Sequence, residues 1–469
     1  MPVASEMAFA SIRTLGEKLR ARECTSVELT EFFLDRLERL GPTFNAVVTV
    51  TRSLALEQAR RADRELAQRL DRGPLHGVPY GAKDLLATAG VPTSWGAAPL
   101  KDRVFDEDAT VIRRLREAGA VLAGKLAMVE IAGGMGYRQA NASFTGPGLN
   151  SWDTTAWSGG SSSGSGAAVG AGLVPFAIGS ETWGSIMSPA GYCGVAGLRP
   201  TYGRVSRHGA MALSWTMDKL GVLGRTADDC GLVLDAIAGH DPADTTSVER
   251  EFRYPPDEEP APRYRMAILK NAATEVQPEV RANFERSLGV LAAFADFDEV
   301  ELPDLPYTAI AGTFIACEMA AAFEGMVTSG DIWELTAPED HVGPHAALLI
   351  PAKDYLNAMR IRPFVQRALD EILARYDALV TPTLASVAPP IAMSFSEYHR
   401  GHQSEALSDL GGGGNAAGIP ALSVPNGFGE RGLPTGLQFV GRAFEENKLI
   451  GTARRYQAAT DWHTKHPEV

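Results

Sequence analysis

Residues 157–206 read WSGGSSSGSGAAVGAGLVPFAIGSETWGSIMSPAGYCGVAGLRPTYGRVS. Two Gly/Ser-rich turns flank a run of small apolar residues, AAVGAGLVPFAIG. A linker is not built this way, because an apolar run needs a core to bury it. Glycines beside a serine let the backbone approach a substrate and leave N–H groups free to point at it. The stretch predicts a rigid, buried platform that carries hydroxyls. Ser161 to Ser165 lie in the first turn, with Ser180 and Ser185 in and after the second.

Around this platform, helical and strand-like patterns alternate. Thr25 and Glu28 are spaced as a capping box ahead of an amphipathic helix carrying Val27, Leu29, Phe32, Phe33, Leu37 and Leu40. Residues 45–50 read as a strand and 54–70 as a charged helix. GVPYGAKDLL at 77–86 starts as a strand and places Lys83 just past it. A helix then a strand fill 110–126. Helices follow near 227–238, 276–295 and 353–376, and strands at 266–270, 377–382 and 421–425. The alternation predicts an α/β sheet covered by helices on both faces. The polar, proline-rich segment 241–265 reads as a surface excursion rather than a seam, and the four-glycine run 411–414 as backbone that is flexible or closely approached.

Composition excludes several classes. The chain has 44 Lys and Arg against 57 Asp and Glu, a net charge of −13. With no basic cluster, this argues against a nucleic-acid or anionic-membrane partner. No apolar run is long enough for a transmembrane helix, and the N-terminus lacks signal-peptide order. Cys24, Cys193, Cys230 and Cys317 match neither a zinc site nor a disulfide framework, which suits reduced thiols in the cytoplasm.

Formal motif matches carry little chemistry here. Residues 119–125 fit GxxxxGK, but Leu126 stands where a phosphate loop needs Ser or Thr, so Lys125 reads as a structural strand-end residue. Gly164–Ser165–Gly166 has no preceding strand and no acidic ribose ligand, as a dinucleotide turn requires. Ser162 sits at the centre of a GxSxG match, but NSWDTTAW before it is not strand-like, and the late His399, His402, His463 and His466 lie in polar surroundings. Asp340, His341 and His345 are too loosely spaced for a metal site and read as a surface loop.

A serine hydroxyl attacks poorly until a base takes its proton. A lysine serves as that base when burial leaves it neutral. Lys83 follows the apolar strand GVPYGA and so enters a core. With the 157–206 stretch it resembles the amidase signature family, serine hydrolases with a Ser–cisSer–Lys triad. The similarity runs in ordered blocks: SVELTEFFLDRLERLGPTFNAVVTV, GPLHGVPYGAKDLLATAGVPT, DATVIRRLREAGAVLAGK, the Gly/Ser stretch, MDKLGVLGRTADD, YDALVTPT and GIPALSVPNGFGERGLPTGLQFVGR. The resemblance implies one large domain on a central mixed, twisted sheet. Residues 1–70 would be an N-terminal helical segment packed on a catalytic domain of residues 71–469. It implies that Lys83 is the base and that Ser161, the first serine of GGSS after a cis Gly160–Ser161 peptide, is the relay. Ser185 in GSETWGS, 24 positions on, would be the nucleophile. The backbone N–H groups of Thr182, Trp183, Gly184 and Ser185 would form the oxyanion hole. No cofactor or metal is implied.

The chain departs from the family's GSDTGGSIR, reading GSETWGSIM. Glu181 keeps an acid, but Met187 replaces the arginine and leaves Glu181 without a nameable partner. Trp183 replaces a glycine, and either fills the core or walls the pocket. Ala132, Gly133, Gly134 and Met135 match the family's substrate-facing loop. With Trp183 and Met187 they form the expected pocket, a roomy one given the small side chains there and at 411–414. The expected function is hydrolysis of carboxamide, anilide or carbamate C–N bonds in small apolar or aromatic substrates, with no nucleic-acid or membrane partner. A homodimer stays open. The alternative is the glutaminase subunit of a tRNA-dependent amidotransferase, against which the GSETWGSIM departures and the acidic balance weigh. An idle scaffold is set aside because Lys83, Ser161 and Ser185 are all present.

Overall fold

The computed structural model describes residues 5–255 and 263–469. Eleven strands form one sheet among them: β1 Val47–Val50, β2 Pro79–Lys83, β3 Val121–Leu126, β4 Phe176–Glu181, β5 Ala196–Arg199, β6 Lys219–Gly224, β7 Tyr264–Leu269, β8 Ala295–Val300, β9 Ala378–Pro382, β10 Ala421–Phe428 and β11 Pro434–Val440. Their spatial order is β1-β3-β2-β4-β6-β5-β10-β11-β9-β7-β8. The sheet is mixed. β3, β2 and β4 run parallel, β4 through β9 pair antiparallel, and β9, β7 and β8 are parallel again. This is the α/β class anticipated from the alternating pattern.

Alternation along the strands separates two cores. In β4, Phe176 and Ile178 join one apolar cluster while Ala177 joins the other. In β3, Leu122 faces the first and Val121 and Ala123 the second. A side-chain period of two puts neighbours on opposite faces, so helices cover both. Edge strands show it by contrast: β8 is exposed at three of its six positions, whereas β2 through β6 are buried throughout.

Local signals account for the first elements. The Thr25 side chain accepts from the Glu28 N–H and Glu28 from that of Thr25, a complete capping box ahead of the helix Ser26–Leu40. β1, within the first 70 residues, pairs with β3 and so extends the same sheet. The 241–265 segment leaves and returns to this sheet, since β7 pairs with β9. Its residues 256–262 lie outside the described residues, as do residues 1–4 of the N-terminus. Among the described residues no helix is long and apolar enough to cross a membrane.

Two expectations change. Residues 411–414 are not flexible backbone beside a roomy pocket but part of the helix Glu405–Ala417. Four glycines weaken a helix in isolation, so packing sustains this one. A Cβ on Gly413 would come within 2.5 Å of the Tyr307 ring, and one on Gly411 within 3.0 Å of the Trp183 indole nitrogen. The glycines therefore admit neighbouring side chains rather than leaving space. Nor is Asp340 on a surface loop: it is fully buried, and its neighbour His341 contacts the Leu335 carbonyl through Nε2.

Candidate active site

β2 and β4 are parallel neighbours, so their carboxyl ends lie on the same edge of the sheet. Lys83 ends β2, and Ser180 and Glu181 end β4. The helix Ser163–Gly170 begins at this edge. A Cβ on Gly164 would lie 2.4 Å from the Ala46 carbonyl and 2.5 Å from the Ala127 nitrogen. Only glycine lets this turn come so close, and the Gly164 N–H bonds the Ala127 carbonyl. The preceding Gly160–Ser161 peptide bond is cis.

These elements bring the sequence-predicted lysine and serines together. Lys83 Nζ lies 2.8 Å from Ser161 Oγ, 3.0 Å from Ser162 Oγ and 2.9 Å from Ser180 Oγ. Ser161 Oγ lies 3.1 Å from Ser185 Oγ. All are buried, and Ser185 keeps 7% exposure. Burial lowers the Lys83 pKa to about 7, against the opposing charges of Asp218 and Glu181. At neutral pH a large share of Lys83 is thus an uncharged amine that accepts a proton. Hydroxyl protons rotate freely, so the contacts allow a relay from Ser185 through Ser161 to Lys83. Ser162, set aside as the centre of an unproductive motif, is in fact a direct neighbour of the lysine.

The segment after β4 leaves backbone donors unpaired. Among the described residues, the backbone N–H groups of Trp183, Gly184 and Ser185 make no hydrogen bond, whereas those of Ile186 and Met187 donate to the Glu181 carboxylate at 2.8 and 3.0 Å. Gly184 has φ +81°, a left-handed conformation that favours glycine. Glu181 does have a cation: Arg199, at the end of β5, lies 2.7 Å from its other oxygen, with both side chains buried. Burial pushes the Glu181 pKa up, but Arg199 and Lys219, with the hydrogen bonds, hold it at about 2. The sequence signal was present in GLRP, but which strands are neighbours was not.

Cavities lie on either side of this loop. One, of about 310 Å³, is lined by Ala132, Ser180, Thr182, Leu213, Trp215 and Asp218 among others. The second, of about 540 Å³, is lined by Trp183, Gly184, Met187, Thr383, His399 and Gly411 among others. Trp183 is half-buried and walls the second cavity while its indole packs over Gly411. Gly133 and Gly134 do not widen the pocket. A Cβ on them would strike Tyr137 at 2.3 Å and Leu213 at 2.1 Å, and Met135 is itself buried in the core.

The family model described as Amidase matches residues 28–450. The chain belongs to the amidase family. It is an enzyme of C–N bond hydrolysis. A relative from Moorella thermoacetica, the A subunit of a glutamyl-tRNA(Gln) amidotransferase, is 37% identical over 99% of both chains. Among solved structures, the glutamyl-tRNA(Gln) amidotransferase A subunit from Thermotoga maritima superposes with TM-score 0.79 at 28% identity, covering 97% of this chain and 96% of that one. The native peptide amidase from Stenotrophomonas maltophilia gives 0.82 at 31%, with 96% of each chain covered.

The full-length relatives overturn two expectations. The reading as a stand-alone hydrolase of apolar or aromatic amides and carbamates gives way, because relatives matching the whole chain carry the amidotransferase name. The exclusion of nucleic acid gives way too, since that name includes a tRNA. Both errors have physical reasons. Arg199 replaces the cation that Met187 removed, and Gly411 accommodates Trp183, so the departures in GSETWGSIM are compensated within the fold. An acidic net charge limits what a chain binds by itself, but not what its partners in a complex bind.

Proposed function

We propose that this protein is the glutaminase subunit of a tRNA-dependent amidotransferase, releasing ammonia from glutamine for use by partner subunits. The carrying observation is the 37% identity to an amidotransferase A subunit over 99% of both chains. In this reading neutral Lys83 takes a proton from Ser161 as Ser161 takes one from Ser185. Ser185 Oγ attacks the side-chain amide carbon of glutamine. The N–H groups of Thr182, Trp183, Gly184 and Ser185 hold the oxyanion with no reorganisation as its charge develops. Ser161 returns a proton to the leaving nitrogen, the C–N bond breaks and ammonia departs. Water then cleaves the acyl-enzyme by the same relay to give glutamate. Trp183, Met187 and Ala132 line the flanking cavities.

Exposed apolar side chains concentrated between residues 333 and 364 support work within a complex. Trp333, Val342, Leu348, Leu349, Leu356 and Phe364 are all exposed large apolar side chains. Concentrated apolar exposure of this kind marks surfaces that partners cover. The test is glutamine hydrolysis and amide transfer to glutamyl-tRNA(Gln), measured for the chain alone and with its partner subunits. Glutamine turnover that requires or is raised by the partners, and is lost in Ser185→Ala, is the expected result. An assembled complex with no glutamine turnover would overturn the proposal.

A further inference from the structure

Just before β6, the Asp218 carboxylate is buried and joins two parts of the site. Oδ1 accepts from the Thr182 hydroxyl at 2.6 Å. Oδ2 accepts from the backbone N–H groups of Leu213 and Ser214 at 2.8 and 2.9 Å. Thr182 opens the loop of free N–H groups, and Leu213 walls the 310 Å³ cavity. The neighbouring Lys219 directs Nζ to the Thr182 carbonyl at 3.4 Å and to the Met217 carbonyl. Thr182 is thus gripped at its side chain and its carbonyl by consecutive residues.

We propose that Asp218 is a positioning residue of the active site, setting the oxyanion loop through Thr182 and tying it to the cavity wall at Leu213–Ser214. This rests on the roles given above to Lys83, Ser161 and Ser185. A carboxylate accepting three hydrogen bonds from two segments fixes their relative placement, and sub-ångström placement of oxyanion donors governs rate.

Asp218 has a second consequence through charge. The groups facing it are Arg207 and Lys219, while Lys83 sees Asp218 and Glu181 as anions. Glu181 is already committed to Arg199. Glu318, also buried, accepts from the Ser214 hydroxyl and from the Thr216 backbone N–H and hydroxyl. Neutralising Asp218 removes an anion that favours protonated Lys83, so the neutral base persists to lower pH.

The test uses covalent labelling of the full chain by an alkyl fluorophosphonate, followed against pH. Ser185 Oγ forms the O–P bond, fluoride leaves, and the hydroxyl proton passes to Lys83 through Ser161, so no knowledge of the natural substrate is needed. Asp218→Asn is expected to lower the plateau rate by about 10–100-fold. Its acid limb should move down by roughly one pH unit. Thr182→Val removes the gripped hydroxyl but keeps the charge, so it should lower the plateau and leave the limb in place. Thr182→Ser should restore the plateau. A merely structural Asp218 would change folded yield without moving the limb. Wild-type plateau and limb in Asp218→Asn, or a wild-type plateau in Thr182→Val should the first variant not fold, would overturn the proposal. Continued labelling of Ser185→Ala would instead overturn the assignment of the nucleophile.

Discussion

Lys83 and Lys125 are both fully buried, on adjacent parallel strands, with Lys125 in register beside Ala82. Burial lowers the pKa of both. Their surroundings differ. Lys125 has a carboxylate, Asp84 at 3.2 Å, and a hydroxyl, Thr93 at 2.6 Å. Lys83 has three serine hydroxyls and, among the described residues, no carboxylate in contact. A buried lysine with an acid stays a cation and holds structure, whereas one among hydroxyls is free to lose its proton. Adjacent strands thus give one residue type a structural role and a proposed chemical one.

The sharpest way to break this contrast is to replace each lysine by methionine. Lys83→Met is expected to lower amide hydrolysis by roughly 10²–10⁴-fold, the usual contribution of a general base, with thermal stability unchanged or raised. Lys125→Met strands Asp84 as an unpaired buried charge and should cost about 3–5 kcal/mol of stability, with the folded fraction still active. Activity assays beside thermal melts separate the two. If Lys125→Met is folded yet inactive, or Lys83→Met active, the contrast fails.

A milder test uses pH. Below its pKa of about 7 Lys83 is protonated and has no lone pair to accept a proton. The hydrolysis rate should therefore fall about tenfold for each pH unit below 7 and level off above about 8. A profile flat from about pH 5 to 9 would remove lysine as the base.

How much of this was legible in the sequence depended on whether the signal was local. The strand ending at Lys83 was readable because an apolar run led into a charged residue. β5 (AGLR) and β6 (KLGVLG) went unread, being short, glycine-bearing and stabilised by their neighbours in the sheet rather than by pattern. The helix Glu405–Ala417 was hidden because four glycines have low helix propensity, and packing against Tyr307 overrides that. Within the site, the lysine and serines were nameable from ordered motifs. Arg199 and Asp218 were not, because their roles depend on β6 lying beside β4 and β5 beside β6. Net charge misled about partners, since it describes a chain and not an assembly.

The smallest expected effect concerns what surrounds the base. Ser161 and Ser162 both contact Lys83, yet of the two only Ser161 has a hydrogen bond to Ser185. Ser162 turns back to the Ser180 backbone, donating to its carbonyl at 3.1 Å. On the relay reading, Ser161 passes the proton while Ser162 and Ser180 hold the amine in place. Ser162→Ala removes one hydrogen bond of about 1 kcal/mol and should slow hydrolysis about fivefold, because Lys83 keeps Ser161 and Ser180. Ser161→Ala interrupts the path and should cost far more. Equal losses in the two variants would mean that Lys83 reaches Ser185 by more than one route, and that its hydroxyl surroundings act together rather than through a single relay.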